Sequence, residues 1–293
     1  MGALSKFHWQ DFFKRFYDRA FEADIFSSAA QIAFYFSFAL FPLLIFVISL
    51  LGMILETSDD IRKELFAYLY QIMPRDVFNL VRTTIDEIVD KSSGGKATVG
   101  LVFTLWSASA GFDAARTALN NVYQLRETRS WWRTKLQSLA LTFIVTTIAG
   151  FLLAVVFYGW KLVGTALGSI GIQITSPLVL MSIQWITALA MVFFVCELIY
   201  NLLPNFKTFR WLRVTPGSIV AIILWILLST GFRTYLAYYN SYNKAYGSLG
   251  AVIIMMLWLY LSAAALTVGG VINSVFEEMK ITTVEPDDGK KDS

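Results

Sequence analysis

LWSASAGFDAARTALNNVY, residues 105–123, decides how many times this chain crosses a membrane. The stretch begins like a transmembrane helix but carries Asp113 and Arg116 near its middle. A charge at the bilayer centre costs about 3 kcal/mol even on lenient insertion scales. If the segment crosses, both charges must face the protein interior. The alternative is a helix that lies in the membrane interface.

The composition is that of an integral membrane protein. Hydrophobic residues make up 56% of the 293 residues and charged residues only 15%, whereas soluble domains are about half apolar and about a quarter charged. Several spans of about 20 residues leave little chain for a separate soluble domain. We therefore expect an all-α, polytopic protein with a single membrane domain over residues 1–276.

Six apolar runs are long enough to be transmembrane helices. They cover residues 29–55, 97–121, 136–160, 178–203, 215–232 and 247–275. Five spans is the competing count, if the second run lies in the interface. The positive-inside rule favours six, because every short inner loop is then basic while the two short outer loops hold only Lys161, Arg233 and Lys244. We predict a multi-pass protein of a cytoplasmic membrane with both termini in the cytoplasm.

Three segments outside these spans have their own patterns. Residues 1–24 combine basic and aromatic side chains and predict a helix at the membrane surface. Residues 56–96 repeat apolar side chains at helical spacing, which predicts two extracytoplasmic amphipathic helices. Residues 277–293 predict a disordered cytoplasmic tail. Pro42 in the first span removes a backbone donor and is a candidate hinge.

Polar side chains form a stripe along the second span. Its members at i, i+4, i+7 and i+11 share one helical face, namely Ser109, Asp113, Arg116 and Asn120. Glu197 in the fourth span has a similar depth, so we expect a network of Arg116 with Asp113 and Glu197 near the cytoplasmic end. Such a network either fixes helix register or lines a cavity or path. Further candidates for that lining are Gln31, Tyr35, Asn201, Ser262, Gly269 and Asn273.

Most catalytic chemistry is excluded by what the chain lacks. The one histidine, His8, and the one cysteine, Cys196, cannot build a histidine metal site, a disulfide or a thiolate cage. Asp86, Glu87 and Asp90 are better explained as a solvated helix face than as a Mg²⁺ site. No phosphate-binding loop, dinucleotide fingerprint or nucleophile elbow occurs. We expect no enzyme and no cofactor, and basic inner segments that suit anionic lipid headgroups, not nucleic acid.

Several motifs together resemble the YihY/BrkB family of bacterial inner-membrane proteins over roughly residues 25–276. The motifs are AFYFSFALFPLL at 33–44, the stretch 105–123, LLPN at 202–205, TPGSIVAIILW at 215–225, AYGSLGAVIIMMLWLYLSA at 245–263 and GGVIN at 269–273. The resemblance implies six helices and a role in envelope integrity and serum resistance, hence as a virulence factor. One branch is proposed to export lipids or lipopolysaccharide precursors. An older label for the family is ribonuclease BN, and the single histidine argues against that label here.

The chain departs from the family pattern at two positions. Val271 stands where the last span of the family carries a glutamate, and Ala39 stands where a serine is common. A mechanism that depends on that glutamate, such as proton coupling, cannot be transferred. The leading hypothesis is a protein that binds or translocates a lipid or other amphiphile. The alternative is an envelope scaffold that acts through partner proteins, and a ribonuclease is a distant third.

Overall fold

The computed structural model describes residues 9–39, 96–169, 176–206, 215–238 and 248–284. These residues form helices and short connections without any strand, which confirms the all-α class for this part of the chain. Its helices are α1 (Trp9–Glu22), α2 (Ile25–Ala39), α3 (Lys96–Val122), α4 (Trp131–Ser169), α5 (Pro177–Leu202), α6 (Pro216–Tyr238) and α7 (Ser248–Val284). The candidate hinge Pro42 and nearly all of the predicted hairpin 56–96 lie outside the described residues.

Four of the described helices are long and apolar enough to cross a membrane. The qualifying segments are Trp131–Leu152, Leu178–Leu202, Pro216–Leu236 and Val252–Lys280. Helix α3 has 27 residues and is therefore about 40 Å long, but it carries the charges of the polar stripe. Of the first predicted span, 29–55, only residues 29–39 are described, and they belong to helix α2. The count of six spans stays a prediction.

A sharp corner separates α1 from α2. Asp24 at this corner has a φ of 43°, in the left-handed region that Asp tolerates better than most residues. Its carboxylate accepts a hydrogen bond from the backbone N–H of Ser27 at 3.4 Å, which caps the start of α2. The corner lets α1 leave the direction of the apolar helix that follows it.

Helix α1 packs against the far end of α7. Phe12 is buried there with its ring centroid 5.0 Å from that of Phe276. Glu278 accepts hydrogen bonds from Arg15 and, at 2.6 Å, from Arg19. Helix α7 continues to Val284, so the boundary at residue 276 and the disorder expected from 277 are wrong for residues 277–284. The ion pairs with α1 hold this end of the helix in place.

Helix α3 lies at the centre of the bundle. Its apolar face is buried against α2, α5 and α7, as expected for a helix with opposite polar and apolar faces. Leu119 is completely buried, and it lies 2.8 Å from the position that a Cβ at Gly270 would occupy. The charged helix is therefore an interior element of the bundle.

The backbones of helices α6 and α7 approach each other closely where they cross, at Gly217 and Gly269. A Cβ atom on Gly217 would lie 1.9 Å from the carbonyl oxygen of Gly269. A Cβ on Gly269 would lie 2.3 Å from the hydroxyl of Tyr200, which donates a 2.6 Å hydrogen bond to the carbonyl oxygen of Leu266. Close helix contact through small residues is typical of membrane bundles. As predicted from Thr215–Pro216, α6 begins at the proline.

Candidate functional site

Asp113 of α3 is the centre of a charge cluster between α3 and α4. One carboxylate oxygen accepts hydrogen bonds from Arg116 at 2.9 Å and from the Ser138 hydroxyl at 2.6 Å. The other oxygen accepts a hydrogen bond from the ammonium group of Lys135 at 2.9 Å. The expected pairing of Asp113 with Arg116 is present. Both partners from α4 were missed by the sequence reasoning.

Lys135 is the most deeply buried cation of this cluster. Its side chain is 9% exposed, and its nitrogen lies 4.6 Å from the ring centroid of Trp106. A cation over an indole ring is attracted by the negative face of the ring. The sequence placed Lys135 among the basic residues of an inner loop, directly before the predicted third span. Only the packing of α4 on α3 shows that it pairs inward.

Glu127 and Arg129 extend the cluster into the loop between α3 and α4. Arg129 donates hydrogen bonds of 2.7 and 2.8 Å to the two oxygens of Glu127. These hydrogen bonds lower the pKa of Glu127 from 4.5 to about 2, against the opposing effect of burial. Glu127 also accepts a hydrogen bond from Asn120 at 3.1 Å and lies 3.6 Å from Arg116. The predicted polar stripe thus ends in an ion-pair network.

The LLPN motif at 202–205 holds this loop against the end of α5. The backbone N–H of Asn205 donates to the Asn120 side chain at 2.8 Å, and the Asn205 amide donates to the carbonyl oxygen of Arg126 at 2.7 Å. Arg129 donates to the carbonyl oxygen of Leu203 at 2.9 Å. Carbonyl groups at a helix end lack intrahelical partners. The motif therefore provides hydrogen-bond partners for the loop between α3 and α4, and Arg129 of this loop donates to a carbonyl group at the end of α5.

Glu197 belongs to a second cluster, so its expected place beside Arg116 is wrong. The side chain is buried, and one oxygen accepts hydrogen bonds from Ser218 and from the N–H of Thr215 at 2.8 Å. The other oxygen accepts a hydrogen bond from Asn201 at 3.0 Å. No basic side chain of the described residues forms an ion pair with Glu197. Equal depth did not fix the direction of the side chain, which points to the start of α6.

The second cluster caps the buried N-terminus of α6. The first N–H groups of a helix have no intrahelical acceptor and form its positive end. Glu197 accepts from Thr215, while the Asn273 side chain of α7 accepts from the N–H of Gly217 at 2.6 Å. Asn273 also donates to the Thr215 hydroxyl at 3.0 Å. Three sequence candidates, Glu197, Asn201 and Asn273, are therefore brought together around this helix start.

Gln31, Tyr35 and Ser109 do not pair with the carboxylates of Asp113 or Glu197. Gln31 and Tyr35 are exposed on α2, so they do not line the interior of the described bundle. Ser109 is buried but donates at 2.6 Å to the carbonyl oxygen of Trp106 on its own helix. All buried side-chain polar atoms of the described residues have a hydrogen-bond partner. No group of three His, Cys, Asp or Glu residues suited to a metal ion occurs within them.

An apolar cavity of about 290 Å³ lies between α2, α5, α6 and α7. Its wall includes Phe36, Val192, Ala221 and Trp225, together with Ser262, whose hydroxyl accepts a 3.1 Å hydrogen bond from the Trp225 indole. Helix α3 contributes no residue to this wall. The cavity therefore does not reach the Asp113 cluster. The polar stripe of α3 does not line this cavity, contrary to the path that was expected along it.

Comparison with known proteins places the chain in a family. The family model described as Virulence factor BrkB matches residues 16–293. The chain is 32% identical over 255 residues to Putative ribonuclease-like protein YfkH of Bacillus subtilis, which covers 87% of this chain and 90% of that protein. It is 28% identical over 268 residues to a UPF0761 membrane protein of Xanthomonas oryzae pv. oryzae, with 89% of this chain and 60% of the relative covered. No solved structure shows significant similarity. The chain belongs to the BrkB family of membrane proteins.

Proposed function

We propose that this protein binds a lipid or other amphiphile inside the bacterial inner membrane, and translocates it, in support of envelope integrity. The observation that carries the proposal is the apolar cavity. Three of its four walls belong to the membrane-spanning segments of α5, α6 and α7. Cavities lined by apolar side chains do not retain water, and acyl chains are the abundant apolar molecules at this depth. An acyl chain is therefore the occupant that fits.

Polar groups lie close to one end of this cavity. Ala221 lines the cavity, and Ser218, three residues earlier on the same face of α6, donates to Glu197. Cys196 and Ile199 line the cavity on either side of Glu197 in the sequence of α5. An amphiphile needs an apolar site next to a polar one. The cavity and the capping cluster of α6 supply this combination within about one helical turn.

Helix α1 supports a membrane-surface position beside the bundle. Its aromatic side chains at four-residue spacing, Trp9, Phe13, Tyr17 and Phe21, are 60 to 79% exposed. Such a face is unfavourable in water but suits the headgroup region. In this arrangement α1 lies on the cytoplasmic surface, and both termini are cytoplasmic.

A scaffold without transport activity is the second candidate. The observation in its favour is the complete pairing of Asp113 and Arg116 by groups on α3, α4 and their loop. These charges then fix the register of two helices, and partner proteins would carry the function. A ribonuclease remains third, because the chain has a single histidine, His8, and the described residues contain no group of three His, Cys, Asp or Glu residues suited to a metal ion. The ribonuclease-like name belongs to the Bacillus relative.

Photocrosslinking tests occupancy of the cavity. The protein is reconstituted in liposomes that contain a phospholipid with a diazirine in its acyl chain, and crosslinked peptides are identified by mass spectrometry. We expect labelling of the cavity walls that Val192→Trp abolishes. The matched control is Leu189→Trp. The side chain of Leu189 lies on the outer surface of the same helix and is 50% exposed, so this substitution should leave the labelling intact. Equal labelling of the wild type and Val192→Trp would overturn the proposal.

Movement is tested in the same liposomes with a fluorescent phospholipid and dithionite quenching. We expect translocation above that of protein-free liposomes, and its loss in Val192→Trp but not in Leu189→Trp. Crosslinking without movement would retain lipid binding and reject transport. That result would favour the scaffold.

A further inference from the structure

The loop and helix start at residues 126–135 sort their basic side chains into two groups. Arg129 and Lys135 turn inward and pair with Glu127 and Asp113. The side chains of Arg126 and Arg133 are exposed, and within the described residues neither forms an ion pair or a hydrogen bond. Two guanidinium groups therefore remain available at this corner of the molecule.

Two exposed tryptophans occupy the first turn of α4 and directly precede Arg133 in the chain. Trp131 and Trp132 are 57% and 65% exposed, with ring centroids 4.7 Å apart and planes at 74°. The ring of Trp106 lies 5.9 Å from that of Trp131. Indole rings are enriched at the level of lipid headgroups, since one edge is polar and the rest is apolar. On a helix that crosses the membrane, such a pair is typical of the headgroup level.

The lipid-facing surface of α4 starts at the same place. Trp132, Leu136, Phe143 and Phe151 share one face of the helix, and each is at least 48% exposed. All four belong to the spanning segment Trp131–Leu152. Arg133 lies in the first turn of that segment, so a helix that crosses the membrane here places Arg133 near the headgroups.

The start of α4 favours an anion for a second reason. Its first turn contains no acidic residue, although it carries the cation Arg133. A cation near the positive end of a helix is unfavourable, whereas an anion is stabilised there. A bound phosphate would interact favourably with the helix and with both free arginines.

We propose that Arg126 and Arg133, flanked by Trp131 and Trp132, bind the phosphate of an anionic phospholipid headgroup at the corner between α3 and α4. This site is separate from the cavity, which α3 and α4 do not line. It does not depend on the proposed transport.

Lipid titration with native mass spectrometry tests this site. Delipidated protein in a nonionic detergent is titrated with phosphatidylglycerol or phosphatidylcholine. We expect the double variant Arg126→Gln, Arg133→Gln to weaken phosphatidylglycerol binding about tenfold or more, with phosphatidylcholine binding unchanged. The matched control is Arg233→Gln, which removes an exposed arginine of α6 and should not change either affinity.

Competition with inorganic phosphate distinguishes a lipid headgroup from a free anion. Excess phosphate should not displace phosphatidylglycerol. Full displacement would show that the site binds free phosphate and would overturn the assignment of a lipid headgroup. An unchanged phosphatidylglycerol affinity in the double variant, or an equal loss in Arg233→Gln, would overturn the site itself. The melting temperature of the double variant should equal that of the wild type, because neither side chain has a protein partner in the described structure. Crosslinking in the cavity should be unaffected.

Discussion

The crossing of α6 and α7 gives the sharpest prediction, because one methyl group should separate the two helices. In Gly217→Ala the new Cβ would lie 1.9 Å from the carbonyl oxygen of Gly269 and 2.6 Å from the side chain of Asn273. Ordinary contact begins at 3.4 Å, so the helices must move apart by about 1.5 Å. A backbone oxygen cannot rotate away as a flexible side chain can.

The cost follows from two terms. Overpacking of a well-packed interior costs about 1 to 3 kcal/mol. The 2.6 Å hydrogen bond from Gly217 to Asn273 contributes about 1 kcal/mol that the displacement removes. Alanine returns roughly 0.5 kcal/mol through its better helix propensity. We expect Gly217→Ala to be less stable than the wild type by about 1.5 to 3.5 kcal/mol.

Gly231 on the same helix is the matched control. A Cβ there meets no atom within 4 Å, so Gly231→Ala should be neutral or stabilised by up to about 1 kcal/mol. The assay uses Cys196, the only cysteine, which is partly buried in α5. A thiol-reactive fluorogenic dye reports its exposure on heating at a fixed scan rate. The midpoint of Gly217→Ala should fall by about 4 °C or more.

A midpoint for Gly217→Ala equal to or above that of Gly231→Ala would refute the contact between α6 and α7. Normal stability of Gly269→Leu would do the same, because that side chain would meet Tyr200 and Ala221 as well as the opposite backbone.

Three further predictions concern the charge clusters. Glu197→Leu should destabilise the protein by about 3 kcal/mol, because it leaves buried donors without an acceptor, whereas Glu197→Gln should cost about 1 kcal/mol. Equal midpoints of the two variants in the thiol assay would contradict the capping role of Glu197. Asp113→Asn should cost about 2 kcal/mol, less than a fully buried pair because Asp113 is 28% exposed, and adding Lys135→Met should recover part of the loss; additive losses in the double variant would exclude their coupling. The pKa of Glu127 is lowered from 4.5 to about 2, so its stabilisation is complete above pH 4.5 and disappears as the pH falls toward 2. The difference in midpoint between the wild type and Glu127→Gln should therefore shrink as the pH falls over that range. In Arg129→Gln the pKa of Glu127 loses the main cause of its lowering, so the stabilisation by Glu127 should disappear at a higher pH.

Part of the candidate site was predictable because it is local. Asp113 and Arg116 are three residues apart on one helix, and such neighbours meet whatever the rest of the chain does. Their partners Lys135 and Ser138 come from another helix. Helical spacing gives the face of each helix but not the rotation that brings two faces together.

Glu197 shows the limit of reasoning from depth. Counting residues along the spans placed it level with Arg116, yet the carboxylate faces the first turn of α6. The signal for this role was present in TPGS at 215–218, a helix start with unpaired N–H groups. Which acceptor reaches that start depends on how α5 and α7 surround it.

Hydropathy, capping and helical period are local properties of the chain, so they were enough to predict a helical membrane protein, the start of α6 and the apolar face of α3. Which charges pair, where the apolar cavity lies and which arginines remain exposed became visible only in the folded structure. These features depend on distances between helices that are far apart in sequence. Such distances follow from the packing of small residues such as Gly217 and Gly269, and no pattern along a single helix contains them.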